Sequence, residues 1–182
     1  MEVAVTAVGA EAEATVVKGG LLRPGKGFNL QPHPFVQSKL SERDEAIVSA
    51  LKDVAEVRFA LSFVCVVEEV ADLKAKSGGK FVAAKLEREM DDARVEALAR
   101  EADEVWICRG DMGVQLGFVP MAKFVQHYRT LLPRLACPSI MAGEVMEHMC
   151  GANTPTRSEI CHLGDLIADG YAGVVLSDET VF

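Results

Sequence analysis

A long apolar segment and a basic run are both missing from this 182-residue sequence, and each absence excludes a class of function. A helix needs about 20 consecutive apolar residues to cross a bilayer, so we expect no membrane-spanning segment. Lys and Arg number 19 against 27 Asp and Glu, which gives a formal net charge of -8. Because binding to nucleic acid phosphates needs a basic surface, the sequence excludes nucleic acid as the expected partner.

The five cysteines lack the spacing of a metal site, and their number is odd. They are Cys65, Cys108, Cys137, Cys150 and Cys161. This pattern is typical of reduced core residues in an intracellular protein. The segment Met1–Val5 has neither the basic start of a secretory signal nor the Arg-rich pattern of a transit peptide. We therefore expect a cytoplasmic protein, with an organelle as the alternative.

Residues 1–40 differ in texture from the remainder of the chain. Alternating side chains predict two short strands, over Val3–Val8 and Glu13–Val17, and a glycine pair then ends the pattern. Proline and glycine beyond this point predict an extended linker. We expect residues 1–40 to form a small β segment with a linker, and residues 41–182 to form the main domain.

From Ser41 onwards, apolar strands alternate with helical segments. Ser41 and Asp44 predict a capped helix that runs to about Asp53. Further helices are predicted over Met90–Ala102 and Met121–Leu135. The predicted strands are Val57–Val64, Phe81–Leu86, Val105–Cys108, Ser139–Ala142 and Gly173–Leu176.

The strands repeat at intervals of roughly 25 to 35 residues, which suits βαβ crossovers. They are apolar on both faces, as a parallel sheet covered by helices requires. The sequence thus predicts an α/β fold with five parallel strands, either as a doubly wound open sheet or as part of a (βα) barrel. No GxGxxG motif follows the first strand, which disfavours the dinucleotide-binding version of the open sheet.

A charged, glycine-rich segment follows the strand that ends at Cys108. It reads Ile107-Cys108-Arg109-Gly110-Asp111-Met112-Gly113-Val114, and we interpret it as a tight turn before a helix. Ligands of parallel α/β folds bind beyond the carboxyl ends of strands, where Asp111 stands. The two glycines allow close approach of the backbone, and free amides at a helix start favour an anion. A simple turn with a solvated Asp is the alternative.

Lys85 and Glu87 form a second polar group, at the end of the preceding strand. Side chains alternate along a strand, so both project to the same face. Neighbouring strands lie about 4.8 Å apart, so Glu87 and Asp111 are candidate ligands of one divalent cation. Mg²⁺ accepts a few carboxylates together with water and substrate oxygens. Lys85 would supply positive charge to a phosphate or an enolate, the alternative being a plain Lys-Glu ion pair.

Two later polar segments and the histidines have simple structural interpretations. The segment Thr154–Glu159 is typical of a helix start with Thr156 as its cap, and Leu176–Thr180 is typical of a polar loop. The four histidines follow no catalytic spacing, and we interpret them as surface or packing residues. They are His33, His127, His148 and His162.

Seven motifs, taken in order, resemble the pyruvate kinase family. They are Gly27-Phe28-Asn29-Leu30, Ser41-Glu42-Arg43-Asp44, Leu61-Ser62-Phe63-Val64, Lys85-Leu86-Glu87, Arg109-Gly110-Asp111-Met112-Gly113, Pro155-Thr156-Arg157-Ser158-Glu159 and Leu176-Ser177-Asp178-Glu179-Thr180. The resemblance begins near the end of the family's small β domain and continues through the last five of its eight barrel strands. It implies a partial (βα)8 TIM-type barrel of about five βα units, preceded by a remnant of the small β domain.

The resemblance also implies roles for individual residues. Lys85 would be the catalytic lysine that contacts the transferring phosphate, and Glu87 and Asp111 would be the Mg²⁺ ligands. The amides around Arg109, Gly110 and Asp111 would hold the substrate carboxylate, and Ser62 would join the substrate site. The family transfers a phosphoryl group from phosphoenolpyruvate to ADP and protonates the enolate, assisted by Mg²⁺ and K⁺. Its K⁺ ligands lie on earlier barrel strands, so the resemblance carries over Mg²⁺ but not K⁺.

Several residues depart from the family pattern. Gly143 stands where the family has an active-site threonine, and Glu144 adds a negative charge beside it. Gln115 replaces an acid, Asp178 replaces a glycine, and Cys65 replaces an arginine. These departures favour a non-catalytic structural or binding subunit, whereas the retained lysine and carboxylates favour the phosphotransferase. A Mg²⁺-dependent barrel activity on a pyruvate-like ligand, such as aldol cleavage, is a third alternative.

Five strands of an eight-stranded barrel leave two edges unpaired. The predicted edge strands are Val57–Val64 and Gly173–Leu176, and exposed edges invite pairing with another chain. We therefore expect a homo-oligomer or a subunit of a larger complex. In the family, the region around Arg157 lies near a subunit interface, which makes Arg157 an interface candidate.

Overall fold

The structure is a computed structural model, which describes residues 1–21, 24 and 40–176. The predicted linker, the motif Gly27-Phe28-Asn29-Leu30, His33 and residues 177–180 of the last motif lie outside the described residues. The first described element is an antiparallel hairpin of β1 (Glu2–Val8) and β2 (Ala12–Lys18), as the alternating pattern predicts. Neither strand of the hairpin contains a buried residue.

The main domain is built on a parallel sheet of five strands. They are β3 (Phe59–Leu61), β4 (Val82–Leu86), β5 (Glu104–Cys108), β6 (Ser139–Ala142) and β7 (Gly173–Val175). Each strand pairs in parallel with the next one along the chain, so the order in the sheet is the order in the sequence. A doubly wound sheet reverses its strand order, whereas a (βα) barrel does not. The predicted partial barrel is confirmed, and the described strands do not close it.

Six helices connect and cover the strands in the described part of the chain. They are α1 (Glu42–Leu51), α2 (Val67–Lys76), α3 (Asp92–Glu101), α4 (Arg109–Leu116), α5 (Phe118–Tyr128) and α6 (Arg157–Asp169). Short 3-10 turns lie at Leu132–Arg134 and Glu147–Cys150. None of the helices among the described residues is long and apolar enough to cross a membrane.

The predicted helix caps at Ser41 and Thr156 are confirmed. Ser41 accepts a hydrogen bond from the Asp44 amide, and the Asp44 carboxylate bonds back to the Ser41 amide. Thr156 and Glu159 make the same reciprocal pair at the start of α6. Each pair satisfies amides that the first helical turn leaves without a partner. These caps fix where α1 and α6 begin.

Three predicted boundaries need correction. The first barrel strand is shorter than Val57–Val64, because the chain turns at Phe63, whose φ is 53°. The helix predicted over Met121–Leu135 begins at Phe118 and ends at Tyr128. The glycine-rich segment after Cys108 is not a tight turn, since α4 begins directly at Arg109.

Gly113 lies inside α4 at the point where this helix packs against α5. A Cβ atom at Gly113 would lie 3.2 Å from the Met121 Sδ atom and 3.6 Å from the Phe118 ring. The missing side chain therefore lets α4 pack closely against α5, which offsets the cost of about 1 kcal/mol for glycine inside a helix. Gly117, with φ of 82°, separates the two helices.

The main core lies between the sheet and the helices that cover it. Strand β4 is buried almost throughout, as a strand covered on both faces must be. The buried helix residues belong to the same core cluster and have one-sided spacing: Val70 and Leu73 from α2, Val95 and Leu98 from α3, and Phe124 and Tyr128 from α5. This packing fixes the carboxyl ends of β4, β5 and β6 relative to one another.

Candidate functional site

The carboxyl end of β4 carries a buried ion pair. The Lys85 Nζ atom lies 2.6 Å from Glu87 Oε1. Glu87 is fully buried, whereas a quarter of the Lys85 side chain is exposed. Alternation along the strand predicts that these two side chains share a face, and the structure confirms it. Burial of a carboxylate without a counter-charge is costly, and the Lys85 ammonium group offsets this cost.

The loop after β3 supplies two further contacts to this pair. The Phe63 amide donates to Glu87 Oε2 at 2.5 Å, and Lys85 Nζ donates to Ser62 Oγ at 3.1 Å. Phe63 adopts a left-handed backbone conformation, which is uncommon for a bulky residue. One carboxylate oxygen of Glu87 thus accepts a hydrogen bond from the Phe63 amide, and the other contacts the Lys85 ammonium group. The predicted site residue Ser62 lies within this cluster.

Asp111 belongs to the same electrostatic cluster. Burial lowers the pKa of Lys85, but hydrogen bonding to Glu87 and the charges of Glu87 and Asp111 raise it by more, so the net shift is upward. Lys85 is therefore a persistent cation at neutral pH. Burial, with the charges of Glu87 and Asp111, raises the pKa of the Cys108 thiol to about 12, so Cys108 is not a nucleophile.

The predicted anion-binding amides lie at the start of α4. Arg109, Gly110 and Asp111 form its first turn, where amides have no partner within the helix. Leu86 on β4 pairs with Ile107 on β5, so α4 begins at the level of the Lys85–Glu87 pair. An anion placed here would meet the positive end of the helix dipole and the Lys85 ammonium group together.

Gly143, at the end of β6, closes this turn from the other side. Its φ is 89°, and a Cβ atom there would lie 3.3 Å from the Gly110 amide nitrogen and 3.6 Å from that of Arg109. The Arg109 side chain makes two hydrogen bonds to the same residue. Its Nε atom donates to the Gly143 carbonyl at 3.0 Å, and its Nη2 atom donates to the same oxygen. These contacts hold the first turn of α4 against Gly143, the residue that follows β6.

Arg109 also contacts His162 on α6. Its Nη1 atom lies 3.0 Å from His162 Nε2. Burial lowers the pKa of Arg109, while the Glu144 carboxylate opposes that shift. The sequence pattern gives no sign of this contact, because 53 residues separate the two side chains. The interpretation of His162 as a packing residue therefore missed a direct neighbour of the candidate site.

The carboxylates suit a cation that takes few protein ligands. Among the described residues, no group of three or more His, Cys, Asp or Glu side chains is arranged to hold a metal ion. An all-protein cage, such as a structural zinc site needs, is therefore not formed by that part of the chain. Glu87 follows β4 directly and Asp111 lies in the first turn of α4, and Mg²⁺ is a cation that can take two carboxylates while it retains water and substrate oxygens.

Arg157 takes no part in the contacts described above. It is the exposed first residue of α6, and it takes part in none of the ion pairs found among residues 40–176. Its assignment as an interface residue stays a prediction.

Comparison with known proteins gives one family. The family model described as "Pyruvate kinase, barrel domain" matches residues 1–182. The pyruvate kinase of Thermococcus litoralis is 31% identical over 177 residues, which cover 93% of this chain and 37% of that protein. The pyruvate kinase of Methanocaldococcus jannaschii is 31% identical, covering 92% and 38%. That of Mycobacterium tuberculosis is 30% identical, covering 94% and 37%. The chain thus spans less than two fifths of the length of these relatives.

Proposed function

Because this chain belongs to the pyruvate kinase family, we propose that it carries the metal- and enolate-binding half of a phosphotransferase site for phosphoenolpyruvate and ADP. The observation that supports this proposal best is the Lys85–Glu87 pair, buried at the end of β4 at the level of the first turn of α4. Phosphoryl transfer depends on positioning and charge stabilisation, and both are available from such groups.

Each group has a distinct task in the proposed site. The amides at the start of α4 bind the carboxylate of the substrate, as helix starts bind anions. Lys85 presents its charge to the phosphoryl group and to the enolate oxygen that forms when this group leaves. Glu87 orients Lys85, and the Ser62 hydroxyl accepts from the same ammonium group, so its direction is fixed from two sides.

Mg²⁺ fits the carboxylates of this site, and we propose Glu87 and Asp111 as its ligands. Both offer hard oxygen donors, and both act on Lys85 electrostatically, which places them in one cluster. When bound, the ion would neutralise charge on the transferring phosphoryl group. The Phe63 amide would keep the Glu87 carboxylate in its orientation during metal exchange.

We expect the full chain to bind oxalate, an enolate-like dianion, only in the presence of Mg²⁺. Asp111→Asn should weaken this binding by at least about 10-fold, the lower bound for an outer-shell partner, because the amide keeps an oxygen donor but loses the charge of the ligand. Isothermal titration calorimetry at pH 7.5 measures both. Asp92→Asn is the matched control, since Asp92 is also a first-turn acid, on α3. Mg²⁺-independent oxalate binding, or equal affinities in both variants, would contradict the proposal.

A second candidate function is a non-catalytic binding subunit of the same family. Gly143 favours it, because a glycine there removes the hydroxyl that the family's threonine would offer. Glu144 also favours it, because its carboxylate acts on Arg109 from beside the site. Phosphorylation of ADP by phosphoenolpyruvate, followed with a coupled lactate dehydrogenase assay, separates the two functions. Oxalate binding without turnover supports the binding subunit.

The outer strands support a further part of the proposal, namely self-association. In the described part of the chain, β3 and β7 each pair with one neighbour only. Unpaired strand edges template pairing with another chain. We expect sedimentation velocity to show a dimer or larger species at micromolar concentration. A dispersed monomer across a hundredfold range of concentration would contradict this expectation.

A cytoplasmic location stays a prediction.

A further inference from the structure

We propose that His162 is a positioning residue for the proposed ligand site, acting through Arg109 on the first turn of α4. This inference rests on the proposed function, because it concerns the amides that would bind the substrate carboxylate. It starts from three hydrogen bonds of one guanidinium group: two to the Gly143 carbonyl and one to His162. None of these partners is a carboxylate.

The partners of Arg109 make its orientation depend on His162. In the described part of the chain, Arg109 takes part in none of the ion pairs. A half-buried guanidinium group with carbonyl and imidazole acceptors has hydrogen bonds but no direct counter-charge. Without His162, the Arg109 Nη1 atom would lose its side-chain acceptor. Only the Gly143 carbonyl would then hold the guanidinium group in place.

The same contact fixes the protonation state of the imidazole ring. Arginine only donates hydrogen bonds, so His162 Nε2 must accept, and the ring is neutral with its proton on Nδ1. An imidazolium ring cannot accept this bond, and it would place a second positive charge 3.0 Å from Arg109. Protonation of His162 therefore breaks the link to Arg109.

Charged groups from three directions act on His162. Arg109 on α4 and Arg129, directly after α5, oppose its protonation, whereas Asp165 and Asp169 on α6 favour it. Burial and the Arg109 charge dominate, and they lower the pKa of His162 below its ordinary value of 6.5. The ring is thus neutral at neutral pH, in agreement with the hydrogen bond.

The link from Arg109 to the ligand is short. Its guanidinium group holds the Gly143 carbonyl, and Gly143 in turn lies against the Arg109 and Gly110 amides. A shift of the guanidinium group would move Gly143 relative to these amides. Because a carboxylate must meet them at hydrogen-bond distance, such a shift weakens ligand binding without touching Lys85 or the metal ligands.

Calorimetric titration of Mg²⁺ and oxalate into the full chain, between pH 5.5 and 8, tests the proposal. His162→Ala should weaken binding by about threefold to tenfold, the effect of one hydrogen bond. The affinity of the unmodified chain should fall as the pH drops through the pKa of His162. His162→Gln keeps an acceptor that does not titrate, so it should retain affinity and lose this pH dependence.

A control and a second measurement keep the test decisive. His127→Gln removes an exposed histidine whose ring contacts Asp92, and it should leave the pH dependence unchanged. Hydrogen exchange of the Gly113–Gln115 amides, which bond to the carbonyls of the first turn of α4, needs no ligand, and His162→Ala should accelerate it because this turn is held less firmly. Without oxalate binding in the unmodified chain, the proposed function fails, yet faster exchange would still support the positioning role. Unchanged exchange in His162→Ala, or unaltered pH dependence in His162→Gln, would overturn it.

Discussion

Glu87→Gln is expected to abolish Mg²⁺-dependent binding of oxalate and to destabilise the fold. The amide has one acceptor oxygen, whereas Glu87 presents its two oxygens to the Phe63 amide and the Lys85 ammonium group. One of these donors is therefore left facing an NH₂ group. Loss of the metal ligand should reduce affinity by more than about 100-fold, beyond the effect of an outer-shell partner.

The stability effect follows from the burial of the pair. Breaking a buried ion pair on one side costs about 3 kcal/mol, at the low end of the range because Lys85 is part-exposed. The pKa of Lys85 is raised in the folded state, so the stabilisation linked to the Lys85 charge is fully present below pH 10.5 and is lost as the pH rises through the folded pKa. Urea unfolding at pH 7.5 therefore measures the stability with Lys85 in its charged form.

A double variant separates loss of the site from loss of the fold. Lys85→Met together with Glu87→Gln removes both charges, so the stability should return toward that of the unmodified chain while binding stays absent. Glu68→Gln, at an exposed position on α2, should change neither quantity. Retained oxalate binding in Glu87→Gln would show that the metal site lies elsewhere.

Gly143→Thr, which introduces the residue that the family has at this position, is expected to destabilise this chain and to weaken oxalate binding. A β-branched residue is strained at φ of 89°, by about 1–3 kcal/mol. Its Cβ atom would also lie 3.3 Å from the Gly110 amide nitrogen, so the proposed carboxylate-binding turn would have to move. Thermal unfolding and calorimetry measure the two effects.

Gly79→Thr is the matched control for this substitution. Gly79 has a φ of 79°, and a Cβ atom there would meet nothing within 4 Å. It should reproduce the backbone strain of Gly143→Thr without the contact at Gly110, and so leave oxalate binding intact. Tighter oxalate binding in Gly143→Thr would mean that the loop adjusts to the side chain. The missing hydroxyl would then be a real deficit of this chain, which supports the non-catalytic role.

Much of the fold was predictable because local patterns and tertiary packing agree. The strands Val105–Cys108 and Ser139–Ala142 are short apolar runs between polar segments, and the structure has them within one residue of the predicted bounds. The Ser41–Asp44 cap is a local motif, because each of the two side chains accepts a hydrogen bond from the backbone amide of the other residue. The start of α4 was missed, because glycine indicates a turn locally, whereas Gly113 serves packing against α5.

The candidate site divides in the same way. Strand alternation predicts that Lys85 and Glu87 share a face, since the period of two is a local property. The contacts of Phe63, Gly143 and His162 depend on backbone angles and on partners 24 to 53 residues away. Such contacts follow no periodic pattern in the sequence, so they could not be predicted and became visible only in the structure.

The strand order has a consequence for how the chain folds. In the described part of the chain, the strands from β3 to β7 pair only with strands next to them in the sequence, so no pairing in this sheet skips a βα unit. Each pairing therefore closes a loop no longer than one βα unit, which limits the entropy cost of closure and allows one unit to add to the last. A cut between units severs one strand pairing only. Such a sheet can therefore be divided into shorter runs of units, each of which keeps the pairings within it.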